Sequence, residues 1–98
     1  MPTIWKFPLD VTDTQEIDMP SGVSILTVMV QGGVPCLWAL VDPDKPTMPR
    51  TIAIYGTGHE VTADLTVAKY VGSFMLVGGD FVGHVYDLTG ITEDDEAA

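Results

Sequence analysis

The residues best able to do chemistry are concentrated at positions 54–61, IYGTGHEV. Gly56 and Gly58 allow backbone N–H groups to approach an anion closely, and His59 adds a side-chain donor. Arg50, a short way upstream, could fork onto a phosphate, and Tyr55 could stack on a base. Arg50, Tyr55, Gly56, Thr57, Gly58 and His59 therefore form a candidate site for a small anionic or nucleotide ligand. As a phosphate signature the string is incomplete. It lacks the third glycine of G-x-G-x-x-G, the lysine of a P-loop and a helix to supply a dipole. The competing reading is a glycine-rich loop that closes a strand.

Other reactive side chains give weaker signals. His84 sits in a strand-like run, FVGHVY, where a histidine is usually packed and hydrogen-bonded. His59 and His84 lie far apart and form no ligand-spaced cluster, so no metal is expected. Cys36, the only cysteine, is embedded in VPCLWALVD and reads as a small buried hydrophobe, not a nucleophile. Trp5 and Trp38 read as core residues. The carboxylates are scattered, and no pair resembles an acid–base dyad. No cofactor is expected, and the chain reads as non-catalytic.

The elements that must position these residues are strands. Glycine and proline punctuate the chain at short intervals, and Val, Ile, Thr and aromatics fill the segments between. Seven strands are expected at about 3–9, 14–19, 23–31, 34–42, 50–56, 69–77 and 81–88. Residues 60–67 are the best place for a short helical turn. Two hairpins are marked by Gly32-Gly33 and Gly78-Gly79, which supply the positive φ angles of two-residue turns. A two-residue loop at Gly78-Gly79 pairs Val77 with Asp80 and sets Ser73 opposite His84 and Met75 opposite Val82. Residues 42–50, DPDKPTMPR, read as an extended, exposed loop. The fold class is all-β: a compact antiparallel sandwich or barrel-like domain over residues 1–89. The acidic stretch 90–98 reads as a disordered tail.

Periodicity bears on assembly. Segment 14–19 alternates cleanly, as a half-exposed strand does. The hairpin 23–41 is apolar on both faces: strict alternation places Val23, Ile25, Met29, Cys36, Trp38 and Leu40 on one, and Leu26, Val28, Val30, Leu37, Ala39 and Val41 on the other. A two-layer sandwich buries only one of them, so the other needs a cover: a partner subunit, a folded-over loop or a ligand. In so short a chain a homo-oligomer built partly on this hairpin is the favoured expectation.

Charge limits the partners. The chain has 98 residues, enough for one domain, and 14 acids against 4 bases give a net charge of -10. Direct nucleic-acid binding, which needs clustered bases, is not expected. A small anion held by local donors, or a basic protein partner, is compatible with such a surface. The N-terminus lacks a signal-peptide pattern and no apolar run reaches membrane-span length, which predicts a soluble protein of a reducing cytoplasm.

The stretches TIWKFPLDVTDTQEIDMPSGVSILTVMVQGGVPCLWALVDP, RTIAIYGTGHEV and YVGSFM…GHVY resemble a family of small phage- and prophage-encoded proteins with no assigned activity. The resemblance runs to about Tyr86, and DLTGITEDDEAA extends beyond it. It implies a phage accessory or structural protein in the cytoplasm of a bacterial host, and it carries over no catalytic residue. Three roles follow as expectations: an oligomer that binds a small anionic or nucleotide ligand to counter host defence, an acidic inhibitor of a host enzyme, or a minor virion or assembly component.

Overall fold

The computed structural model describes residues 1–66 and 68–89, without the side chain of Val77. The expected tail at 90–98 lies outside the described residues. Seven strands are present: β1 Thr3–Pro8, β2 Thr14–Pro20, β3 Ser24–Gln31, β4 Val34–Val41, β5 Thr47–Gly56, β6 Lys69–Leu76 and β7 Phe81–Asp87. They form two antiparallel sheets, ordered β1-β4-β3 and β2-β5-β7-β6. The sheets face one another as a sandwich. Leu37, Ala39 and Val41 of β4 share one core with Met19 of β2, Ile52 and Ile54 of β5, Phe74 of β6 and Val85 of β7. Among the described residues no helix is long and apolar enough to cross a membrane.

Both glycine pairs turn a hairpin, but only Gly32-Gly33 does so as a two-residue loop. Gly78 and Gly79 have φ angles of 63° and 94°, which a Cβ-bearing residue adopts only with strain. Four residues, Val77 to Asp80, join the strands there, with a 3-10 turn over Val77–Gly79, so the expected pair of Val77 with Asp80 is not part of the ladder. The register is nonetheless the expected one, with Leu76 opposite Phe81, Ser73 opposite His84 and Met75 opposite Val82. Gln31 pairs with Val34 around Gly32-Gly33.

Three local expectations are corrected. Residues 60–66 form no helix. The segment 42–50 is a loop only in its first half, because β5 begins at Thr47 and pairs with Pro20 of β2. Prolines 46 and 49 mislead here. β7 reaches β5 only at positions 52–56, so the first half of β5 has a neighbour on one side alone, and a missing N–H is tolerated there. Strict alternation also fails in β3. A bulge between Ile25 and Thr27 inserts Leu26, which is exposed, and places Ile25 opposite Ala39 on the core side. The outward face of β3 then carries Thr27, Met29 and Gln31, in register with Trp38, Cys36 and Val34 of β4.

β5 and β6 both run antiparallel to β7 and are therefore parallel to one another. The chain must return along the sheet between them. The core side is occupied by the other sheet, which leaves the outward face for this return. Ala53 and Tyr55, on that outward face of β5, are buried.

Candidate functional site

The glycine-histidine stretch is part strand and part turn. Gly56 is the buried last residue of β5 and pairs with Gly83. Thr57, Gly58 and His59 make a tight turn closed by the His59 N–H donating to the Gly56 carbonyl at 3.0 Å. Gly58 has φ 86°, the left-handed backbone required at the third position of a type II turn. The Thr57 N–H donates to the Val82 carbonyl at 3.1 Å. Two of the N–H groups that an anion would need are thus given to the protein's own carbonyls.

The glycine at position 56 has a packing cause. A Cβ there would meet the His59 ring at 2.7 Å and Phe81 at 3.1 Å. The imidazole lies over the strand end where a side chain would otherwise stand. His59 is exposed and caps this end of the core face.

Arg50 lies six residues before the end of β5, and it is on the opposite face from Tyr55. It pairs with Ile17 and points to the core side of the sheet. There its Nη2 bonds Asp87 Oδ2 at 2.5 Å, with the two side chains only 18% and 4% exposed. The other Asp87 oxygen accepts the Thr89 N–H at 2.9 Å, and the Thr89 hydroxyl accepts the Thr51 N–H at 2.8 Å. This network ties the end of β7 to β5. The six predicted site residues therefore divide into three places: Arg50 in a buried ion pair, Tyr55 on the outward face, and the remaining four at the strand end.

On the outward face the register brings together residues that their separation in sequence concealed. Tyr55 lies opposite His84, and Tyr86 lies between Ala53 and Tyr70. The Tyr70 and Tyr86 rings are 5.1 Å apart, and Tyr55 meets Tyr86 edge-on at 6.3 Å. Tyr70 is 53% exposed. The Thr57 hydroxyl and His84 Nε2 are 2.6 Å apart. A hydroxyl beside an imidazole has the spacing of a nucleophile and its base. Here the bond pins the turn to β7, and the Thr57 N–H, already donated to Val82, is not available to stabilise an oxyanion. The hairpin register alone sets Tyr70 opposite Asp87, on the other face from Tyr86. A bulge between Tyr70 and Gly72 shifts the pairing by one and brings Tyr70 opposite Tyr86, so the cluster was not legible in the sequence.

Among the described residues no group of three or more His, Cys, Asp or Glu side chains could hold a metal. Cys36 is buried, as a small hydrophobe should be, and its Sγ lies 3.5 Å from the Val34 carbonyl. The tryptophans depart from the expected core positions. Trp5, opposite the core residue Ala39 on the edge strand β1, is 40% exposed, and Trp38 is half-buried on the outward face of β4. Edge placement and the two-sided apolar character of β4 account for both.

A family model described as a domain of unknown function, DUF7352, matches residues 1–94, and the chain belongs to that family. No curated protein and no solved structure matches the chain.

Proposed function

For this member of the DUF7352 family we propose a non-catalytic role, as an acidic interaction protein that grips a basic partner protein on the outward face of β5, β7 and β6. One observation carries the reading: the exposed ring of Tyr70 packs on the half-buried Tyr86, which is backed by the buried Tyr55, on a single face of a chain whose net charge is -10. An aromatic face attracts a guanidinium or ammonium group with about 0.5–2 kcal/mol, depending on how far water is excluded. The surrounding negative field steers a basic surface towards it and speeds association. Tyrosine suits such a contact because its large ring is held by only two torsions.

The phage accessory role implied by the resemblance supplies a setting, in which the partner is a basic surface of a host protein. The small-anion reading at positions 56–59 has less support, since the Thr57 and His59 N–H groups and Arg50 all have partners within the chain.

Titration with an arginine-rich peptide, set against a glutamate-rich peptide of equal length, tests the role. Binding should occur with the basic peptide alone, weaken as salt is added, and fall in Tyr70→Ala. Absence of binding, or binding that neither salt nor Tyr70→Ala affects, would overturn it.

A further inference from the structure

The outward face of the three-stranded sheet is largely apolar and exposed. By register it presents Ile4 and Lys6 of β1, Trp38 and Leu40 of β4, and Met29 and Gln31 of β3. Ile4 is 57%, Met29 52% and Leu40 40% exposed. In a chain with 14 acids, none of the outward positions on these three strands is acidic. The only charge is Lys6, whose Nζ donates to Gln31 Oε1 at 2.7 Å and lies 6.0 Å from the Trp38 ring. This contact bridges the two edge strands over the tryptophan and neutralises nothing on an approaching surface.

We infer that this face is the contact between two copies of the chain, giving a weak, symmetric homodimer. Charge selects the occupant. A basic partner finds no carboxylate on these strands, whereas a second copy finds an apolar surface on which two molecules of net charge -10 can meet without opposing acids. Area sets the strength. At the usual strand spacing and rise, each outward residue tiles about 33 Å², so the face covers about 350 Å² in projection. Joining two such faces removes roughly 700–1,000 Å² of accessible surface, below the range of stable complexes and within that of weak, transient ones. A dimer in the micromolar range or weaker is therefore expected. Its surface lies on the opposite layer of the sandwich from the tyrosine face, so the two contacts are independent.

The sign of the salt effect separates them. Copies that share a large net charge repel at long range, and screening removes that repulsion. Added sodium chloride should strengthen the dimer, while it weakens any contact with a basic partner. Sedimentation equilibrium of the full chain, from low micromolar to near-millimolar concentration, should show a monomer–dimer equilibrium that shifts to dimer with salt. Ile4→Glu and Met29→Glu, both at exposed positions, should each raise the dimer dissociation constant by about a hundredfold, the scale of burying an unpaired carboxylate. Val61→Glu, on an exposed loop, should leave it unchanged. Circular dichroism identifies any variant that fails to fold, and the other face variant then decides. A monomer at every concentration and salt, or a dimer that survives in a folded face variant, would overturn the inference.

Discussion

The Phe74 ring occupies the place of a side chain on Gly83. A Cβ on Gly83 would lie 2.6 Å from Phe74 Cζ and 3.1 Å from Ile54 Cγ2. The aromatic ring covers the bare backbone of β7 from its partner in β6, since Phe74 and Gly83 are directly opposed. Gly83→Ala should therefore cost about 1–3 kcal/mol, the usual range for overpacking a core, and lower the melting temperature. Thermal melts followed by circular dichroism would measure this, and a neutral substitution would show that Phe74 can move aside.

Arg50 and Asp87 should behave as a structural pair. Removing one partner leaves a buried charge without its counter-ion, which costs about 3–5 kcal/mol. Arg50→Ala and Asp87→Ala should each destabilise strongly, and the double variant should lose less than the sum of the two. Urea denaturation of the four proteins checks the coupling. Additive losses would mean that the two charges act separately.

Gly56 and His59 are coupled sterically. Gly56→Ala alone must displace the imidazole, while in a His59→Ala background only the Phe81 contact resists the new methyl group. The cost of Gly56→Ala should fall by about 0.5–1 kcal/mol when His59 is absent, a coupling of the size seen between touching residues. An equal cost in both backgrounds would place the strain on Phe81.

Asp64 should titrate below the ordinary 3.8, because its carboxylate accepts the Thr66 hydroxyl, at 2.6 Å, and the Thr66 N–H. Hydrogen bonds to the charged form favour it. A lowered folded value means that any stability this group contributes is complete above its unfolded value and is lost as pH falls through the folded one. Thr66→Val removes the first of the two bonds and should raise the Asp64 value towards normal. Carboxyl chemical shifts followed from neutral to acid pH would report it.

Much of the fold was legible because turn chemistry and periodicity act locally. The turn at Gly78-Gly79 sets the pairing of Ser73 with His84 through local geometry alone. The features that escaped depend on partners distant in sequence. The bulge at Leu26 reverses the faces of Val23 and Ile25, and nothing in an apolar run such as VSILTVMV marks where an extra residue falls. The strand at 47–49 was hidden by prolines that only its one-sided pairing tolerates. Arg50 looked available because Asp87, its partner, lies 37 residues away. At the glycine-histidine stretch the corner-turning role was visible in Gly58, but the packing of His59 on Gly56 was not.

The order of strands also governs how quickly the chain can find this structure. Only the β3–β4 and β6–β7 pairs join neighbours through short turns; β1 must reach β4, β2 must reach β5, and β5 must reach β7 across intervening elements. Closing such distant pairs spends chain entropy before any packing repays it, which places the domain among the slower two-state folders, in the millisecond-to-second range. The two glycine hairpins can assemble within microseconds and then wait. During that interval the apolar faces of β4 and β5 are uncovered together, and newly made chains are most exposed to aggregation before β2 has docked along β5.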